Sequence, residues 1–128
     1  MVTVTIPIPP RSLSPNGRVH WGAKRAATKK ARLHGGLAAI MAMSALASIG
    51  KSAPRWLAAT VSVRVVRRTK RGRMDHDNLV ASLKAYIDGV CDAGLLANDR
   101  GLSWGAVEWI VAADEKERVE LTFVPTKE

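Results

Sequence analysis

Val2, Val4, Ile6 and Ile8 alternate with threonine and proline at the start of the chain, the period-two mark of a half-buried strand, and Pro9-Pro10 ends it. The following RSLSPNGRVHW run is rich in Ser, Pro, Asn and Gly and predicts a loop. From about Trp21 to Ser48 the chain is dominated by Ala, Lys, Arg, Leu and Met, a helical composition, with Gly35-Gly36 predicting a break or kink. Past Pro54, Val61, Val63 and Val65 alternate with Ser62 and Arg64 and predict a second strand. Leu79, Leu83, Tyr86 and Val90 then recur at i, i+4, i+7 and i+11, an amphipathic helix that Gly94 can close. The last part predicts a hairpin, with Trp104 to Ala112 and Arg118 to Val124 as strands around the polar turn ADEKE.

A chain of 128 residues with 47% hydrophobic content predicts one compact domain spanning 1–128. The longest charge-free apolar stretch, Gly35 to Gly50, is shorter than the roughly 20 residues a bilayer span needs, so no membrane partner is expected. MVTVTIPIPP has neither a basic segment nor a small-residue cleavage site and predicts no secretory signal. Cys91 is the one cysteine, which excludes an internal disulfide framework and a Cys-rich zinc site. A cytoplasmic location is the expectation.

The formal net charge of +9 points toward polyanions, nucleic acid first. Its distribution says more. Fifteen of the 20 Lys+Arg precede Asp75, the first acid, and all 11 Asp+Glu lie from there onward. Such asymmetry suits a cationic surface for phosphates beside an acidic cluster for metal, and equally suits two halves that attract one another. Arg25, Lys29 and Arg32 form a cationic helical stripe that is open to either solvent or phosphate. Five bases crowd the segment from Arg67 to Arg73, directly ahead of Asp75 and Asp77.

Asp75 and Asp77 are separated by one residue, so in an extended segment both carboxylates project to one side. Two carboxylates about 4 Å apart repel by roughly 4 kcal/mol at an effective dielectric near 20, so a proton, a base or a cation must compensate. Mg²⁺ suits such a pair, because it takes one or two carboxylates plus waters and phosphate oxygens. The rival reading is that an Asp here caps the following helix. Asp99, in GLLANDRG, is a third acid past the end of that helix, and it joins the pair only if the chain doubles back or a subunit boundary supplies it. Lys84 falls on the helical stripe of Asp77, Ala81 and Asp88.

Taken in order, Ser14-Pro15-Asn16 with His20-Trp21, a basic run into Asp75-His76-Asp77-Asn78-Leu79, a Lys-bearing helix, and Ala93-Gly94-Leu95-Leu96 with Asn98-Asp99 resemble the RusA family of Holliday-junction resolvases, many of them prophage-encoded. The resemblance covers nearly the whole chain, and its most specific part is the D-x-D-N-L helix with the following turn and acid. It implies an α/β (α+β) fold, a small mixed sheet packed by helices, and a homodimer that cuts four-way DNA junctions in recombination and repair by Mg²⁺-dependent phosphodiester hydrolysis, with Mn²⁺ as a substitute. Asp75, Asp77 and Asp99 match the catalytic, metal-holding carboxylates. The chain departs from the family pattern in having Asn98 where adjacent acids are common, and Ala81 where a catalytic Lys stands one turn into the helix, which leaves Lys84 as the candidate.

For DNA contact, Asn16, Arg18, His20, Trp21, Lys24, Lys29, Arg67, Arg68, Lys70, Arg71 and Arg73 are the candidates, because Lys and Arg contacts to phosphate give affinity independent of sequence. Arg71 and Arg73 either place DNA over the metal or neutralise Asp75 and Asp77 without DNA. Trp21 either stacks on a base or packs, and packing is equally the reading for Trp56, Trp104 and Trp109. His34 and His76 are expected in structural or surface roles, Cys91 in the core, and Asp88 and Asp92 on an exposed helix flank as solubility residues. A non-catalytic junction or duplex binder, such as a decayed prophage copy, is the alternative, and a basic RNA-binding module is a second.

Overall fold

The computed structural model describes residues 1–15 and 21–126. The elements in order are β1 (Val2–Ile6), a 3-10 turn (Arg11–Leu13), α1 (Trp21–Ser48), β2 (Ala59–Arg67), α2 (His76–Ala93), a second 3-10 turn (Asp99–Gly101), β3 (Leu102–Val111) and β4 (Arg118–Pro125). The fold is α+β, a single small domain in which two helices cover one face of a four-stranded mixed sheet ordered β1-β4-β2-β3. Alternation fixes which face is covered. Val2, Val4, Ile6, Val61, Val63, Val65, Val119, Leu121 and Phe123 are buried beneath the helices. Thr3, Arg64, Glu108, Glu120 and Thr122 line the opposite face, where Arg64 pairs with Glu108 at 3.5 Å and Glu120 at 3.9 Å.

The expected C-terminal hairpin does not form. β3 pairs in parallel with β2, while β4 lies between β1 and β2 and runs antiparallel to both. The physical reason is the order of elements: β2, α2 and β3 make a crossover unit that returns the chain parallel to its first strand. The strongly alternating β4, apolar at Val119, Leu121 and Phe123, then takes the buried central position. A register shift between Val61 and Val63 makes a bulge in the β2–β3 pairing, so Trp104, Val107 and Trp109 all pack toward the core although their spacing breaks period two.

Gly35-Gly36 does not break α1, which runs unbroken for 28 residues. These glycines serve the crossing with α2. A Cβ on Gly35 would lie 2.1 Å from the Tyr86 carbonyl oxygen, and one on Gly89 would lie 1.9 Å from the Arg32 carbonyl oxygen. The two backbones touch there, and only hydrogen fits between them. Leu79, Leu83, Tyr86, Ile87 and Val90 turn the other side of α2 onto the sheet. Gly94, with φ of 92°, ends that helix in the left-handed conformation. The outer face of α1 leaves Leu33, Leu37, Ile40 and Met41 exposed. No helix among the described residues is long and apolar enough to cross a membrane.

Candidate functional site

Two regions of the βαβ unit carry the candidate chemistry, and its topology sets them apart. β2 and β3 are parallel, and Arg67 lies opposite Val111 at their carboxyl ends. The loop leaving β2 bears Lys70, Arg71 and Arg73 and leads into the amino end of α2 at that same end of the sheet. Ligands of open sheets with parallel strands commonly bind there. Asp99 lies just before Leu102, at the amino end of β3.

Asp75 is the N-cap of α2. Its Oδ1 accepts from the Asn78 backbone N–H at 2.9 Å and its Oδ2 accepts from Asn78 Nδ2 at 3.2 Å. Helical geometry therefore begins at His76, and Asp77 stands in the first turn. The extended D-x-D geometry, with both carboxylates on one side, is not what the chain adopts, because residues two apart on a helix are turned by about 200°. No ion pair joins Arg71 or Arg73 to Asp75 or Asp77 among the described residues.

Asp99 opens the second 3-10 turn, where Asn98 caps by accepting from the Arg100 N–H at 3.0 Å. Gly101 sets this turn against the chain entering β2, since a Cβ there would lie 1.9 Å from the Leu57 carbonyl oxygen. The chain does double back. Asp99 shares a cavity of about 220 Å³ with Val80, Ala81, Lys84, Ile87, Leu102 and Trp104, and so faces the middle of α2. Lys84 and Asp99 are thus brought together, on the stripe that Asp77 starts two turns earlier, about 10 Å along the axis from Lys84. Among the described residues no three His, Cys, Asp or Glu side chains gather to hold a metal ion. Asp75, Asp77 and Asp99 therefore do not meet as a trio within one chain. Burial pushes the Cys91 thiol up to about 11, with the charges of Asp88, Asp99 and Asp92 adding to it. It is half-buried against the core, as its place on the helix predicts.

The cationic candidates divide by partner. Arg67 donates to Glu117 Oε2 at 3.1 Å; the Arg68 backbone N–H donates to the same oxygen at 2.9 Å, and Arg68 Nε donates to the Glu115 carbonyl at 3.0 Å. Both arginines therefore pin the turn before β4, and the Arg68 backbone bond is the chief reason the Glu117 carboxyl is held below its ordinary value. Lys70, Arg71 and Arg73 remain exposed. Arg73 places its guanidinium 5.8 Å from the centre of the Trp109 ring, and these two side chains line a cavity of about 340 Å³ together with Arg67, Thr69, Lys70, Arg71, Ile110 and Val111. Trp109 packs against the core as expected, but its place beside the basic loop is not legible in the sequence, because the bulge in the β2–β3 pairing hides which side of β3 it takes.

On α1, Trp21 is the first residue, and it is exposed, as are Lys24 and Lys29. Arg32 and Asp92 are both exposed, as expected, but they pair with one another. Arg32 Nε and Nη2 donate to the two Asp92 carboxylate oxygens at 2.5 and 2.7 Å, so one residue of the cationic stripe and one expected solubility acid form a bidentate bridge between helices. That pairing holds the Asp92 carboxyl below its ordinary value. Asn16, Arg18 and His20 lie outside the described residues.

No family model matches the chain. A protein of Xylella fastidiosa, described as uncharacterized, is 35% identical over 114 residues, which cover 84% of this chain and 67% of that protein.

Proposed function

From the premise that the chain belongs to one family with that Xylella protein, whose name assigns no chemistry, we propose a Mg²⁺-dependent, structure-specific endodeoxyribonuclease of the RusA type. It resolves four-way DNA junctions in the cytoplasm as a homodimer. The observation that carries this reading is the return of Asp99 to the flank of α2, where it lines one cavity with Lys84, itself on the stripe begun by Asp77, with a cationic loop leading directly into Asp75.

The donor chemistry fits a hard cation. Asp75 and Asp77 offer carboxylate oxygens, and Asp75, after accepting its two bonds from Asn78, keeps lone pairs to spare. Asp99, which the crossover places at the other end of the sheet, is not a third donor within one chain and serves as one only when supplied across a subunit boundary. Mg²⁺, or Mn²⁺ in its place, supplies polarisation of the phosphate and a more acidic bound water. Lys70, Arg71 and Arg73 bind the DNA backbone and orient it at the amino end of α2. Lys84 offers ammonium donors to a phosphate oxygen. In a two-fold dimer two such sites face the two strands to be cut, and the exposed Leu33, Leu37 and Ile40 on α1 are of the apolar kind a homodimer interface buries.

A second reading, a junction or duplex binder without catalysis, is favoured by the duty of Asp75 as a helix cap and by the absence of a three-acid cluster among the described residues. One assay separates the two. Synthetic four-way junction and linear duplex are incubated with the protein in Mg²⁺ and in chelator. The nuclease reading expects paired nicks in the junction in Mg²⁺ alone, lost in Asp77→Asn with junction binding retained. Binding without nicks in Mg²⁺ establishes the second reading, and tighter binding of RNA than of junction replaces both.

A further inference from the structure

Resting on the reading that DNA is the ligand, we infer that the cavity at the carboxyl ends of β2 and β3 is a nucleotide pocket, in which Trp109 stacks on one unpaired base while Lys70, Arg71 and Arg73 hold the flanking phosphates. At about 340 Å³ the cavity lies in the size range of small-ligand sites. Its lining combines one indole, the aliphatic Ile110 and Val111, and four cations, with no carboxylate. That combination suits a ligand with a flat apolar part and a negative part. A groove for phosphate alone gains nothing from an indole, and Trp109, though packed against the core, also lines the cavity.

Here the roof is Arg73, an exposed guanidinium over the ring. A cation–π pair at such a site is weak, so a base can take its place while the guanidinium turns to a phosphate. Arg67 is fixed by Glu117 and forms a wall, whereas Lys70, Arg71 and Arg73 pair with no carboxylate among the described residues. Arg73 precedes Asp75 by two residues, at most about 7 Å of chain. A base held on Trp109 therefore sets its neighbouring phosphate beside the acids, and stacking requires a base that has left the duplex, as at a branch point.

The test uses the full chain in chelator, so that no cutting occurs, with a single-stranded oligodeoxynucleotide, a four-way junction and a linear duplex as probes. Tryptophan emission of the wild type is expected to be quenched by the single strand, and most of that quench is expected to vanish in Trp109→Phe, which keeps an aromatic face for the base. Trp109→Ala is expected to bind the single strand about 5- to 150-fold more weakly, with duplex affinity changed less than about twofold. Should Trp109→Ala fold poorly, the Trp109→Phe quench decides. An unchanged quench in Trp109→Phe, or a well-folded Trp109→Ala with wild-type single-strand affinity, overturns the pocket. RNA of the same sequence binding more tightly overturns the choice of DNA. Quenching that persists in a protein that never nicks junctions overturns the nuclease reading alone, and nicking without quenching overturns the pocket alone.

Discussion

Asp75 holds the first turn of α2 whatever else it binds, and two substitutions separate its roles. Asp75→Ala removes the cap and is expected to lower stability by about 1 kcal/mol, read as a drop in urea midpoint. Asp75→Asn keeps a side-chain oxygen for the Asn78 N–H, so stability is expected to stay near wild type while Mg²⁺-dependent nicking is lost. Asp92 behaves differently. Arg32 holds its carboxyl below the ordinary value of 3.8, so the folded state binds that proton less readily than the unfolded chain. The contribution of the bridge is therefore present above that value and fades as pH falls through the lowered one. The gap in melting temperature between wild type and Asp92→Asn is expected to be open at about pH 7 and to close as the pH falls below the ordinary carboxylate value.

Among the elements, the crossing of α1 and α2 depends on contact between backbones. Gly89→Ala places its methyl group against the Arg32 carbonyl, which has no rotamer to yield, so the helices must part. A loss of about 2 kcal/mol or more is expected. Gly36→Ala meets the Gly89 carbonyl oxygen at 3.2 Å, which a small shift relieves, and a smaller loss is expected. Urea denaturation of the two variants beside wild type, at unchanged slope, checks the ranking. The same crossing holds α2 at the depth where Lys84, on its outer stripe, lines one cavity with Asp99.

At the scale of the whole molecule, the excess of positive charge is partly used within the fold. Arg67 and Arg68 are bound to the acidic turn before β4, Arg64 to Glu108 and Glu120, and Arg32 to Asp92. Among the described residues, Lys70 and Arg71 are not paired in this way. Replacing both with Gln is expected to reduce the slope of log binding constant against log salt by about 2, with melting temperature unchanged. Replacing Arg67 and Arg68 instead is expected to lower the melting temperature, because their bonds to Glu117 and Glu115 are lost. Salt titrations and melting curves on the two double variants distinguish these outcomes.

Both helices and all four strands were legible in the chain, since burial periodicity and capping residues act over a few neighbours: Val2 to Ile6, Val61 to Val65, Leu79 to Val90 and Gly94 announce themselves. Strand order was not, because the pairing of β4 with β1 and β2 depends on long-range burial and on the crossover through α2. The glycine pair in α1 likewise looked like a break, since its reason is a carbonyl on another helix. Of the site, the basic loop, the capping Asp75 and the candidate acids could be picked out by residue type. Their separation could not, because a crossover sends the start of α2 and the start of β3 to opposite ends of the sheet. Only the folded chain brought Asp99 to Lys84, and Trp109 to Arg73.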